Sequence, residues 1–526
     1  VFNFDLRTEQ WIPVRDMRGG GELLEISLEE ALVNGQNYLR IESDNPLEVA
    51  ALHRFLLAVL HRALKGPTTA KDNARWLREG CFPEQEIKGY LERFHDRFDL
   101  FHSERPFYQV AAMPSEGYTQ HWSRLSAEFG SGNTSPLFNY AKRGEAPKNP
   151  DSWISPAQAA RLLLEHQTFC LGGLIRRFVT SAPGAPAATA AHTLVQGDHL
   201  QQTLCLNLVS YPQNEYEADW VVWEAEPPTI EELKRNPKVK PRGLVHRYTW
   251  LSRSIKLFPE HICGQVGVRN IAYASAVRPE DYTSDPLVAY RTPQKAGEGL
   301  FPLGLSKDRS LWRDFAALLP PKGDAGNQIP RVIHQAIETF REVEKAIRPR
   351  RGLVVEVYGQ ISDQAKIEAW RSEARRLSET VLGQRDVRSL VESLLSWADD
   401  VWEHLNQACR ALAAGMLASG ERKADPKDVT ELNQGFPARL VYWPKLERRF
   451  YQLLDSLSEA YDEEAVERQW KGWLYEAALE AWKLTVQGAG STPRALKAAA
   501  QAQGKLLAQL KELKPEPQKE VAVEQS

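Results

Sequence analysis

Apolar positions divide this chain into two parts with different periods. From about Phe101 to Arg350, strand-like runs such as "TLCLNLVSY" and "DPLVAYR" alternate with short helical stretches and Pro/Gly loops. The opening "FNFDLRTEQWIPVRDMRGGGELLEISLEEAL" reads as two short strands around a Gly19-Gly20-Gly21 turn, followed by a helix. Asn45-Pro46 then opens "LEVAALHRFLLAVLHRAL", whose apolar residues recur at helical spacing. Beyond Tyr358 the pattern becomes helical almost throughout. Helices are expected over Gln364–Thr380, Arg385–Ser419, Ala438–Tyr461, Glu463–Val486 and Thr492–Leu513. Leu, Ala and Trp at three- and four-residue spacing, with short "GERKADP" and "QGAGSTP" connections, predict an antiparallel four-helix bundle. The expected class is α+β: a mixed α/β N-terminal domain over residues 1–365, a helical bundle over 366–514 and a polar, disordered tail over 515–526.

The length of 526 residues agrees with two or three domains. The five cysteines, Cys81, Cys170, Cys205, Cys263 and Cys409, form no CxxC pair, which predicts a reducing compartment and no structural zinc. No signal peptide opens the sequence and no apolar run is long enough to span a bilayer, so a cytoplasmic location is expected. His53 and His61 lie on the "LEVAALHRFLLAVLHRAL" helix without a Cys or carboxylate constellation and read as structural.

A net charge of −3 does not suit a free-standing DNA binder. It leaves room for local basic patches, "RPRRG" at Arg348–Gly352 and "RSEARR" at Arg371–Arg376, each of which also reads as a solvated helix face. Enzyme motifs are missing: no GxxxxGK[ST], GxSxG, HExxH or strand-linked GxGxxG occurs. One local feature stands out. In "EHQTFCLGGLIRRF", Gly172 and Gly173 separate an apolar run from Arg176 and Arg177. Paired glycines fit a turn, a helix C-cap, or a surface where a ligand must approach backbone.

Several segments, in order, resemble the CasA family, the large subunits of type I-E CRISPR Cascade surveillance complexes. They are "WIPVRDMRGGGELLEISLEEAL", "FHSERPFYQV", "SGNTSPLFNY", "HRYTWLSRSIKLFPE" and "AWRSEARRLSETVL", spread over essentially the whole chain. The resemblance implies a non-catalytic subunit without cofactor or metal. Such a subunit inspects the protospacer-adjacent motif (PAM) in double-stranded target DNA and helps to start strand separation and R-loop formation. The implied partners are the guide RNA, the subunit capping its 5′ end, the small-subunit dimer and a helicase-nuclease recruited afterwards.

By the same resemblance Gly172 and Gly173 align with a glycine-rich loop lying on the PAM minor groove, which in the family can hold more glycines. Gln364 aligns with a wedge glutamine that parts the first base pair, and Asp363 stands where Asn might be expected. Locally, Ser362 or Asp363 also reads as the N-cap of a helix. The lysine finger of the family is replaced: "GQVGVRNIAYAS" offers Arg269 or Asn270. The cysteine cluster of some members is missing too, since Cys263 stands alone. Leu137, Phe138 and Asn139 are the expected anchors of a docking loop for the guide-RNA 5′ end or its capping subunit. The alternatives are an unrecognised nucleic-acid-processing enzyme and a purely structural scaffold.

Overall fold

Local signals set the first elements. In the computed structural model, strand β1 (Ile12–Asp16) turns through Gly20 and Gly21, at φ 84° and 90°, into β2 (Leu23–Ile26). β1 also pairs with β3 (Tyr38–Ile41), giving the order β2-β1-β3. The side chain of Asn45 accepts from the Leu47 N–H and caps helix α1 (Pro46–Leu64), which is buried along nearly its whole length. His53 and His61 are buried there, with Nδ1 on the Val49 and Gly66 carbonyls. The structure describes residues 2–126, 152–280, 285–291, 301–307, 309–319, 329–363, 366–378, 381, 385–418, 424–457 and 461–515.

Strand β4 (Thr119–His121) pairs with Asn270–Ala272 at one edge of a three-stranded sheet. Helix α2 (Pro156–Phe169) starts at a Ser155/Gln158 capping box. It leads into a short hairpin, β5 (Gly173–Arg177) with β6 (Val179–Ala182). β7 (His192–Gln196) follows, then the long hairpin of β8 (Arg253–Ile262) and β9 (Gln265–Ser275). A second long hairpin, β10 (Leu353–Asp363) with β11 (Lys366–Leu377), adds to β7 in the order β11-β10-β7.

Two expectations fail here. "TLCLNLVSY" is not a strand: Leu200–Asn207 is helical, with His199 as N-cap. The helix expected over Gln364–Thr380 is strand β11, and Ser362 and Asp363 close β10 instead of capping a helix. The Ala, Glu and Arg residues of "KIEAWRSEARRL" favour helix, but β10 supplies the β-branched Val354, Val355, Val357 and Ile361 as a pairing surface. Strand pairing outweighs a helix propensity worth only tenths of a kcal/mol per residue.

Contacts divide the chain into one unit of Val1–Leu311 with Asp324–Leu377, and a second of Trp312–Gly323 with Ser378–Ser526. The boundary expected at 365 therefore moves past β11, and a short upstream segment joins the second unit. That unit holds α3 (Arg385–Leu417), α4 (Ala438–Ser456), α5 (Glu463–Ala489) and α6 (Pro493–Gln509), close to the expected bundle helices, with a shorter helix over Pro426–Gln434. Its core is aromatic. Trp312, from the upstream segment, lies 5.2 Å from Phe450 and 6.4 Å from Trp470 between ring centroids. The buried Trp470 donates Nε1–H to the Leu394 carbonyl at 2.8 Å. α3 and α6 meet on small residues, where a Cβ on Gly415 would stand 2.5 Å from that of Ala498.

Candidate nucleic-acid interface

Helix α2 ends at Cys170, whose backbone is extended at φ −58° and ψ 132°, so the paired glycines that follow are not its C-cap. The two glycines differ. A Cβ on Gly172 would stand 2.8 Å from the Gly184 nitrogen, 3.2 Å from the Pro183 carbonyl carbon and 3.3 Å from the Ala182 oxygen. Two backbone segments cross there, fixed by the Ala185 N–H donating to the Cys170 carbonyl at 2.8 Å. The close approach that requires glycine at 172 is therefore internal. Gly173 is exposed and has φ 158°, a backbone conformation that residues with a Cβ rarely adopt, and nothing lies within 4 Å of the place its Cβ would take.

From Gly173 onward the hairpin presents Leu174, 63% exposed, and the exposed Arg176. Its register shifts between Leu174 and Arg177, and Arg176 and Phe178 have φ of 57° and 62°. Non-glycine residues there carry strain that the surroundings must hold. Arg177 Nε donates to the Gly117 carbonyl at 2.8 Å, and the Phe178 ring lies 5.4 Å from Tyr118.

A buried polar frame holds the entry to this loop. Arg253, 1% exposed, donates from Nη2 to the Leu171 carbonyl at 2.9 Å and from Nη1 to the Ser252 carbonyl at 2.7 Å. Its Nε donates to the Tyr273 hydroxyl at 3.2 Å. Gln167 grips the Arg253 backbone twice, donating to its carbonyl and accepting from its N–H, both at 2.8 Å. His166 Nδ1 faces the Leu125 carbonyl at 2.9 Å, an acceptor only, so Nδ1 carries the proton. Nε2 then accepts from the Tyr273 hydroxyl at 3.0 Å. Burial, with Arg253 and Arg124 nearby, pushes the His166 pKa down to about 3, which keeps this tautomer neutral.

The β10–β11 hairpin is seated on the same loop. Gln360, 3% exposed, donates its amide to the Phe169 carbonyl and to the Ala188 carbonyl, both at 2.7 Å. A Cβ on Gly359 would stand 3.1 Å from Leu305 Cδ1 and 3.2 Å from the Ala190 oxygen. Beyond Gln360 the strands continue to the Asp363–Lys366 pair. Gln364 lies outside the described residues, as do Leu137, Phe138 and Asn139.

Arg269 and Asn270 sit on β9, where the register shifts between Val268 and Asn270. Both are half-buried, and Arg269 Nε lies 3.4 Å from Glu260 Oε1. The other end of the strand meets the glycine hairpin: Ser275 Oγ donates to the Arg177 carbonyl at 3.1 Å. At about 3.3 Å per residue, Arg269 is roughly 20 Å along the strand from that contact. The fold thus gathers the glycine loop and the β10–β11 hairpin, and leaves Arg269 and Asn270 further off. Sequence reasoning missed the residues that do the gathering, Gln167, Arg253, Tyr273 and Gln360. A cation opening the apolar run "RSIKLF" is the one signal that could have flagged Arg253. Among the described residues no three His, Cys, Asp or Glu side chains group as a metal site, and no helix is long and apolar enough to cross a membrane.

The sequence profile of the family described as CRISPR-associated protein Cse1 matches residues 5–481. The chain belongs to the CRISPR-associated protein Cse1 family. It is 38% identical over 519 residues to the CRISPR-associated protein CasA/Cse1 of Thermus thermophilus, spanning 97% of this chain and 98% of that protein. The crystal structure of Thermus thermophilus CasA matches with a TM-score of 0.82 at 37% identity, over 97% of this chain and 100% of that one. The Cse1 fold is also shared with a chain of a CRISPR RNA-guided surveillance complex. There the TM-score is 0.74 at 19% identity, over 96% and 99% of the two chains, a likeness of fold alone. The CasA resemblance read from the ordered segments is thus the family found.

Proposed function

We propose that this chain is the large subunit of a type I-E Cascade complex and reads the PAM as duplex before strand opening. Gly173 and the exposed start of β5 lie against the minor groove, where the lack of a side chain admits backbone to a narrow groove. The hairpin that ends near Gln364 parts the first base pair, and Asp363 stands beside it. Arg269, or Asn270, approaches the groove from β9; the groove's negative potential favours arginine. Leu137, Phe138 and Asn139 dock on the guide-RNA 5′ end or its capping subunit. The small-subunit dimer is a further partner, and the helicase-nuclease docks on the chain after R-loop formation. No catalytic step is assigned to the chain.

One observation carries this reading. The single Gln360 amide ties the carbonyl ends of α2 and of the loop at Ala188 to the strand leading to Gln364. A groove reader and a strand separator must hold fixed spacing on one rigid support, and this bond pair supplies it.

The test is target binding by the assembled complex with Gly173→Asp, which adds bulk and negative charge where the site is open. Binding should be lost while the subunit stays folded and keeps its place in the complex, its melting temperature lowered only by the strain of a Cβ at φ 158°. Wild-type affinity in that variant overturns the reading.

A further inference from the structure

The two basic stretches singled out in the sequence are far apart along the chain but join in the fold. Arg350 and Arg351 precede β10, and Arg376 lies near the end of β11, where it pairs with Val354. The side chain of Arg376 comes back over the turn: a Cβ on Gly352 would stand 3.8 Å from its Nε and Nη2. All three arginines are exposed. The other hairpin arginines, Arg371 and Arg375, lie 3.4 and 3.9 Å from the carboxylate of Glu373. Among the described residues no carboxylate pairs the guanidinium of Arg350, Arg351 or Arg376. The nearby acids are occupied. Asp198 accepts the Arg350 backbone N–H, at 2.9 Å from Oδ2, and Glu356 accepts from Ser372 Oγ. Three exposed cations at one end of the hairpin repel one another, and the cluster fits a polyanion.

Its place along the hairpin identifies that polyanion. Val354, Glu356, Tyr358 and Gln360 alternate onto one face of β10, and their partners Arg376, Ala374, Ser372 and Trp370 share that face. Gln360 is the residue that carries the glycine loop. From Asp363 the order along this face is therefore glycine loop first, arginine cluster second. At about 3.3 Å per residue, Arg376 lies roughly 30 Å from the Asp363 end. That is close to one turn of duplex DNA, about 34 Å, after which the same backbone faces the protein again.

We propose that Arg350, Arg351 and Arg376 bind the phosphate backbone of the target duplex beyond the PAM, about one helical turn from the point of strand opening. This rests on the PAM-reading role of the glycine loop. It adds a length requirement that the role alone does not carry: full affinity needs about ten base pairs of duplex upstream of the PAM.

The test uses the assembled complex on PAM-containing targets with about 4, 8, 12 and 20 upstream base pairs, at about 50 to 200 mM salt. Wild-type affinity should rise with upstream length and level off at about one turn. The Arg350→Ala/Arg351→Ala/Arg376→Ala variant should bind the shortest target like wild type and gain nothing from longer ones. Three lost phosphate contacts should also cut the salt-driven fall in affinity on long targets by about 40-fold over that range. Lysine at all three positions should restore both effects. The same length profile and salt slope as wild type overturns the proposal. So does an equal loss at every upstream length, which would assign the cluster to the displaced single strand. Gly173→Asp separates this inference from its foundation. If that variant binds normally, the PAM-reading role fails; if it loses binding at all lengths while the triple variant titrates like wild type, only the arginine proposal fails.

Discussion

The support of the glycine loop and the helical bundle are built from opposite materials. The bundle is held by apolar and aromatic burial: Trp312, Phe450 and Trp470 are fully buried and in ring contact. The loop support is held by buried polar groups that reach across the sequence, with Gln360 bonding to Phe169 and Ala188 and Arg253 to Leu171. Apolar packing tolerates adjustment, because many weak contacts share the load. A polar network fixes positions, because each donor and acceptor has few allowed geometries and a high cost when unmet. A loop that must present backbone at a set distance from a hairpin needs the second kind.

The largest effect should come from emptying the bundle core. Trp470→Ala should destabilise the second unit by about 3–5 kcal/mol through lost burial and the cavity left behind. Urea unfolding should show an early bundle transition, with the transition of the first unit unmoved. A single merged transition would mean that the two units are not energetically separate.

Next in size is Arg253→Met, which keeps the volume but leaves the Leu171 and Ser252 carbonyls and the Tyr273 hydroxyl without their donor. About 3 kcal/mol should be lost from the first unit. Hydrogen exchange should speed up around Cys170–Ala188, and target binding should weaken although no residue of the loop is changed. Unaltered exchange in that segment would show that the loop is held by something other than this network.

A pH effect of about 2 kcal/mol tests the polar character directly. His166 is neutral in the fold, its pKa lowered to about 3 by burial first and by Arg253 and Arg124 second. The unfolded chain takes up that proton near pH 6.5. Stability is therefore full above about pH 6.5 and falls as pH drops, by about 1.4 kcal/mol per unit for this group, until the folded pKa is reached. His61, His192 and His246, also buried in the first unit, are lowered to about 3, 4 and 4 and act with the same sign. Between about pH 6.5 and 5, urea unfolding of the first unit should lose several kcal/mol, and His166→Gln should lose about 2 kcal/mol less. An equal pH slope in that variant would mean that His166 is not neutral in the fold.

The contrast also explains what could be read from sequence. The bundle was legible because helical period and caps are local: Asp462 and Thr492 cap the helices that follow them. The β10–β11 hairpin was not. "KIEAWRSEARRL" carries helix formers, and its strand state depends on Leu353–Asp363 and, through that strand, on His192–Gln196. The glycine pair was visible as an anomaly, but its two members could not be told apart. What separates them is Gly184, twelve residues later (184 − 172), whose backbone nitrogen crosses Gly172. Gln360 left no trace either, since its partners are main-chain carbonyls that no sequence pattern marks, and Arg253 showed only as a cation opening an apolar run.

The smallest expected effect separates the two glycines. Gly172→Ala must place a methyl 2.8 Å from a backbone nitrogen that no side-chain rotation can move. The crossing at Ala182–Gly184 has to shift, at a cost of about 1–3 kcal/mol. Gly173→Ala meets open space, so its cost is confined to the backbone strain of a Cβ at φ 158°, about 1 kcal/mol. Target binding should divide the other way. If Gly173 touches the groove through backbone, one methyl there weakens PAM binding several-fold, while the melting curve shifts only by the strain at φ 158°. Gly172→Ala should lower the melting temperature first and weaken binding only as far as the loop is displaced. Thermal melting of each variant, set beside its affinity for a PAM duplex in the assembled complex, gives the two readouts. Equal stability losses would mean that the second glycine is also structural. A Gly173→Ala complex with wild-type affinity would leave the open space at Gly173 without a partner in the groove.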